Sequence, residues 1–185
     1  SSTSKGIVNK IYNIVRDVTL KQKLKLIKSI SKGTDLLDIG AGTGHFLNTC
    51  KNAGFNTLGL EPDEDARYFA KSNFDLNLSS TNELSNLPSE SRDIITMWHV
   101  LEHVYNLKQD LFEIERILKK DGSLVIAVPN MGSYDAQKYG ESWAAYDVPR
   151  HLYHFQKSTI EQLMLRFDLK LINTLPMKFD AYYVS

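Results

Sequence analysis

From Gly6 to about Ile30 apolar residues recur at helical spacing, with Ile7, Ile11, Ile14, Val15, Leu24 and Ile27 marking one face. Thr19 stands where one helix would end and a second begin. The period then shortens. Apolar runs at 34–40, 56–62, 75–80, 93–100, 123–130 and 169–176 predict strands, and the stretches 45–54, 63–73, 107–122 and 158–167 predict helices between them. Gly54 and Gly122 supply stops for two of those helices. Apolar strands alternating with helices require a mostly parallel sheet covered on both faces, and right-handed crossovers restrict it to a doubly wound α/β layout. Only residues 130–157 break the rhythm, being aromatic and polar, without clear period, and too long for an ordinary connection. The chain therefore divides into an N-terminal helical segment, 1–33, and an α/β domain, 34–185, with an insertion at about 130–157.

A chain of 185 residues suits one domain with a sizeable core. Basic and acidic residues both number 22, so no global field draws the chain toward nucleic acid or an anionic membrane, and no nucleic-acid partner is expected. No apolar run has the length of a membrane span, and the first ten residues lack the apolar core of a signal peptide. The single cysteine, Cys50, falls among helical residues and is expected to pack; with no disulfide available, a cytoplasmic location is expected.

The chemistry gathers at "DLLDIGAGTGHFL", residues 35–47, where three alternate glycines follow an apolar strand. In an open α/β sheet the ligand crevice lies beyond the carboxyl ends of the strands, at the point where the strand order reverses. Glycine there adopts backbone angles closed to other residues and lets a ligand lie against the main chain. A dinucleotide site wants G-x-G-x-x-G/A, but His45 stands where the last small residue belongs. No Lys-Ser or Lys-Thr pair follows, which excludes a P-loop. Asp38, a carboxylate at the strand end, suits a cation rather than a pyrophosphate.

With Asp38, Gly40, Gly42 and Gly44 in an acidic-x-G-x-G-x-G order, the sequence resembles the class I S-adenosylmethionine-dependent methyltransferases. Glu61, closing the second strand, matches the family's second acidic motif, and a carboxylate there can accept hydrogen bonds from both ribose hydroxyls. The stretches 92–104 and 118–130 look like the fourth-strand and fifth-strand segments of the subgroup that contains ubiquinone-biosynthesis O-methyltransferases, and 143–155 resembles the aromatic, His-bearing segment that follows in related bacterial proteins. The resemblance implies the Rossmann-like methyltransferase fold, S-adenosylmethionine as cofactor, and a small-molecule methyl acceptor, with oxygen as the expected target. It also implies a polar partner for adenine after the third strand, where Asn82 and Glu83 stand, with Pro62 and Leu84 as walls and His99 at the end of the fourth strand as a further contact. Members of the family complete the sheet with an antiparallel seventh strand. Here only "FDAYYVS" remains after the sixth; it supplies a short edge strand or the chain is a fragment, and a fragment lacking the last strand is expected.

Methyl transfer from a sulfonium is a direct displacement that needs alignment and exclusion of water. A hydroxyl or amine acceptor must also lose a proton, and His103, His151 and His154 are the candidate bases. Each has a structural alternative as a hydrogen-bonding residue that ties down a turn. His99, Glu102 and His103 have the i, i+3, i+4 spacing of a helical metal site, but structural hydrogen bonding is the expectation and no metal ligands are assigned. Two other functions share some of these features. A nicotinamide oxidoreductase would use Glu61 on its ribose equally well, and a binding module would keep the cofactor site without turnover.

Overall fold

The computed structural model describes the backbone of residues 2–177 and the side chains from residue 13 onward. Four parallel strands, β1 (Asp35–Ile39), β2 (Asn56–Leu60), β3 (Arg92–Trp98) and β4 (Leu118–Ala127), form one sheet in the order β2-β1-β3-β4. Around it lie α1 (Ser2–Ile30), α2 (His45–Asn52), α3 (Glu64–Phe74), α4 (Leu107–Ile117), α5 (Tyr134–Tyr139) and α6 (Lys157–Leu165). The chain leaves β1 toward β2 and returns on its other side as β3, so the strand order reverses at β1, and the carboxyl end of β1 is the place where open α/β sheets bind ligands.

Alternation along the central strands builds two cores. Leu36 and Ile94 pack with Ile27, Phe46, Leu47, Cys50 and Ala70 under α1, α2 and α3, whereas Leu37, Ile39, Ile95 and Met97 pack with Leu111, Ile114 and Ile117 of α4 and Met164 of α6. Leu36, Leu37, Ile94 and Ile95 are all fully buried. By the same alternation Asp38 and Thr96 face α1 and α2, which places a carboxylate in an otherwise apolar layer. Cys50 is buried and packs, as expected.

The structure corrects several boundaries. Thr19 caps no break, because α1 runs without interruption; its hydroxyl donates to the Val15 carbonyl one turn back (3.0 Å), and neither Gly nor Pro interrupts the surrounding turns. The expected third strand, 75–80, shrinks to one bridge in which Ser79 pairs with Leu60, while Leu76 and Leu78 turn into the core. The helix expected to reach Gly122 stops at Ile117, where Leu118 pairs with Arg92. Residues 119–122 then bulge out of the ladder, and Lys119 reaches Asp35 (2.9 Å) and Asp93 (3.0 Å) across the amino ends of β1 and β3. The run 169–176 forms no strand: the sheet has four strands among the described residues, and Ile172 and Leu175 are exposed. "FDAYYVS" lies outside the described residues. The insertion holds α5 and two 3-10 turns, Gly140–Ser142 and Ala144–Tyr146.

Candidate functional site

The three loop glycines serve different ends. All have positive φ, at 72°, 53° and 80° for Gly40, Gly42 and Gly44. A Cβ on Gly40 would stand 2.3 Å from Val100, and one on Gly44 would meet Ala70 and Leu76 at 3.0 and 3.1 Å, so these two permit close packing of the turn after β3 and of α2 against α3. A Cβ on Gly42 would meet nothing within 4 Å. The Cα face of Gly42 is therefore bare and looks onto open space beyond the carboxyl end of β1.

Two carboxylates flank it. Glu61 follows β2, is buried, and accepts the Gly42 amide on Oε2 (2.7 Å) and the Asp63 amide on Oε1 (3.0 Å). A carboxylate offers about four acceptor positions, so this clamp on the loop leaves capacity for two further donors. Arg67 holds the backbone from below by donating to the carbonyls of Glu61 and Pro62, both at 2.7 Å. Asp38 is buried at the end of β1 and accepts a hydrogen bond from the Thr96 hydroxyl (2.6 Å). Burial pushes its carboxyl up to about 7, against the opposing pull of the Thr96 bond and the Lys23 charge. Lys23, from α1, lies 4.4 Å from the centre of the Trp98 ring, so α1 reaches the carboxyl end of β3. Thr96, Val100 and Lys23 went unnoticed in the sequence: Thr96 is a β-branched residue within an apolar strand, Val100 an apolar residue just past it, and α1 carries no motif.

His99 follows β3 in the left-handed region, φ 57°, with its amide on the Ala127 carbonyl (2.9 Å) and its Nδ1 3.6 Å from Glu102 Oε1. A non-glycine residue held this way costs energy and is typical of sites where geometry is imposed. Asn82 and Glu83 are exposed in the 3-10 turn Thr81–Asn86, just beyond the bridge between Leu60 and Ser79. Pro62 is exposed beside Glu61, and Leu84 is buried against the α4 core.

The insertion folds back over the turn after β3. Leu152 and Tyr153 amides donate to the Glu102 carbonyl at 2.8 and 3.3 Å, and His103 Nδ1 bonds the Arg150 carbonyl at 3.0 Å. His151 Nδ1 bonds the Ala145 carbonyl (2.8 Å) and His154 Nε2 the Tyr146 carbonyl (2.9 Å). All three histidines thus tie down turns, and since a carbonyl only accepts, each bond puts a proton on the bonded nitrogen, so that in the neutral ring the other nitrogen carries the lone pair. The rings of His103 and His151 meet edge to face at 4.6 Å, and Trp143, Tyr146 and His154 continue the aromatic contacts. The spacing of His99, Glu102 and His103 does not form a helical metal site, because 101–103 is a single 3-10 turn and His99 lies outside it. A shallow depression lined by Lys28, Lys32, Gly33 and Phe55 opens at the opposite end of β1 and gathers no comparable chemistry.

Residues 13–174 match the model of a methyltransferase domain. The chain is 29% identical over 125 residues to a ubiquinone biosynthesis O-methyltransferase of Pelagibacter ubique, covering 64% of this chain and 50% of the relative. It is 23% identical over 134 residues to a probable S-adenosylmethionine-dependent methyltransferase of Mycolicibacterium smegmatis, covering 71% of this chain and 49% of the relative. The chain spans about half the length of the curated relatives it matches. Among solved structures, a SAM-dependent methyltransferase from Archaeoglobus fulgidus superposes with a TM-score of 0.68 at 22% identity, over 91% of this chain and 83% of the other. A magnesium protoporphyrin IX methyltransferase from Synechocystis with bound SAH superposes at 0.69 and 14% identity, over 93% and 82% of the two chains.

Proposed function

The chain belongs to the methyltransferase domain family, whose cofactor is S-adenosylmethionine, and from that premise we propose that it transfers a methyl group to an oxygen of a small-molecule acceptor. The observation that carries this is the bare main chain at Gly42, at the strand-order reversal, with the Glu61 and Asp38 carboxylates beside it. Such a surface suits a nucleoside lying flat with a positive centre nearby. The family match decides for this cofactor over a nicotinamide dinucleotide. The match to a ubiquinone biosynthesis O-methyltransferase supports oxygen as the target atom. Among the described residues no helix is long and apolar enough to cross a membrane.

When bound, the cofactor supplies an electrophilic methyl group on a positively charged sulfur. Gly40, Gly42 and Gly44 shape the turn that receives it, and Glu61 offers its remaining acceptor positions to the ribose hydroxyls. Asp38, once ionised, provides a buried negative charge that favours a cation in the crevice. Asn82, Glu83 and Pro62, exposed beyond β2, would hold the adenine, and His99 would contact the cofactor from the β3 side. His103 accepts the acceptor's proton on Nε2, because its Nδ1 is committed to the Arg150 carbonyl and its ring is exposed, whereas His151 is buried; His154, also exposed, is the alternative base. Trp143, Tyr146 and Tyr153 exclude water from the reacting atoms.

The test is a two-stage assay. Calorimetry first measures S-adenosylmethionine binding; release of the demethylated cofactor is then followed with a panel of phenols and aliphatic alcohols. Binding with phenol-dependent release supports the proposal, and binding with no release for any hydroxyl acceptor, but release with amines or carbon nucleophiles, would overturn oxygen as the target.

A further inference from the structure

We propose that Glu102, His103 and His151 form a binding site for a divalent transition-metal ion, with zinc as the representative ion. One ligating atom from each of the three lies within 4.8 Å of the others'. Glu102 comes from the 3-10 turn after β3, where its side chain is 1% exposed and neither carboxylate oxygen has a hydrogen-bond partner. A buried carboxylate left that way is costly, and the usual resolutions are a cation or a water. His99 Nδ1, at 3.6 Å from Oε1, is beyond hydrogen-bond distance, though close enough to form an ion pair with Glu102 when its ring is protonated.

The histidines supply the rest of the argument. Metal-bound imidazoles commonly donate their second ring N–H to a backbone carbonyl or carboxylate, which fixes the tautomer and the ring's orientation. Both rings here already have that arrangement: Nδ1 of His103 is held by the Arg150 carbonyl at 3.0 Å and Nδ1 of His151 by the Ala145 carbonyl at 2.8 Å. Nε2 is therefore the lone-pair atom in each. Asp147 is the neighbouring carboxylate, with Oδ2 3.9 Å from His151 Nε2 while Oδ1 pairs with Arg150.

Two imidazoles and one carboxylate are a donor set for zinc and the later first-row metals, whereas magnesium and calcium prefer oxygen alone. Tetrahedral zinc would bring the three donor atoms to about 3.4 Å from one another. His103, being exposed, has room to make that closure, while Glu102 and His151 are buried. Three protein ligands leave a fourth position open to solvent on the His103 side. Because Glu102 and His103 come from the turn after β3 and His151 from the insertion, an ion here would pin the aromatic cover to the sheet. It would also take the Nε2 that His103 needs as a base, so the two roles are alternatives for one nitrogen. The proposal does not rest on methyl transfer, and its test reads the metal alone.

The experiment strips the full chain with a chelator and titrates it with Zn2+ by calorimetry, without cofactor or acceptor. Co2+ serves as a second probe, since four-coordinate cobalt has intense visible bands. One zinc per chain is expected, with affinity falling about tenfold or more in each of Glu102→Gln, His103→Ala and His151→Ala, and within twofold of the parent in His154→Ala. Glu102→Gln keeps the side-chain volume and His103 is exposed, so these two remain informative if His151→Ala misfolds, as circular dichroism would reveal. No stoichiometric zinc, or zinc bound equally well by Glu102→Gln and His103→Ala, would overturn the site.

Discussion

Asp38 is the residue whose perturbation tests most of the physics at once. Its carboxyl is raised from an ordinary 3.8 to about 7 by burial. The folded protein therefore holds a proton that the unfolded chain gives up, and between pH 4 and 7 the unfolded state binds fewer protons. Stability is fullest below the unfolded pKa and declines as pH rises through the folded one. The displacement corresponds to roughly 4 kcal/mol, and Asp38→Asn, which cannot ionise, should abolish that decline. Binding of a cation should oppose it. If S-adenosylmethionine requires the ionised form, its apparent Kd should rise about thirtyfold from pH 8 to pH 5.5, with close to one proton released per ligand at the acid end. Calorimetry in buffers of different ionisation enthalpy measures both quantities. The demethylated product, lacking the sulfonium charge, should show a weaker pH dependence. A pH-independent affinity, or the same slope in Asp38→Asn, would refute the link between this buried carboxylate and the cofactor.

Other consequences are simpler. Glu61→Ala should weaken cofactor binding by about 1.5–3 kcal/mol, the range for hydrogen bonds to a charged group, as read by calorimetry. His103→Ala should lower turnover of a hydroxyl acceptor about a hundredfold with cofactor affinity nearly intact, and turnover within twofold of the parent would reject it as the base. Trp143→Ala should impair acceptor use far more than cofactor binding; a large fall in Tm with normal acceptor kinetics would make the aromatic insertion plain packing. Leu37→Ala, in a strand buried on both faces, should cost about 2–5 kcal/mol in chemical denaturation.

What the sequence disclosed follows from which features are local. β1 and β3 were legible because strands covered on both faces need unbroken apolar runs, and the loop because positive φ beside a close neighbour leaves only glycine. The start of the helix expected at 63–73 was a local matter too, and in the structure the Asp63 side chain accepts the Ala66 amide there (2.7 Å). Thr19 misled because the hydroxyl that caps a helix can equally bond the preceding turn within one. Residues 169–176 have a strand's apolar pattern, but a strand also needs an edge to pair with, which is a property of the whole sheet. The histidines show the same limit at the site. Helical spacing grouped His99 with Glu102 and His103, yet the backbone there is a left-handed residue followed by a 3-10 turn, and the chain brings His151 to them from the far end of the insertion.

The central claim is that the bare backbone at Gly42 is the surface on which the cofactor lies, and Gly54 supplies an internal control. Both have positive φ, 53° and 93°, and at neither would a Cβ meet another atom within 4 Å, but Gly54 lies between α2 and β2, at the other end of the sheet. Both Gly42→Leu and Gly54→Leu strain a left-handed backbone, Gly54→Leu the more because its φ of 93° lies beyond the αL basin, and only the first places its side chain beside the loop that Glu61 clamps. Calorimetric titration of both folded variants with S-adenosylmethionine should give binding close to the parent for Gly54→Leu and none for Gly42→Leu, even though Gly54→Leu has the lower Tm. Equal affinity in the two folded variants would contradict the account and move the cofactor away from the glycine loop.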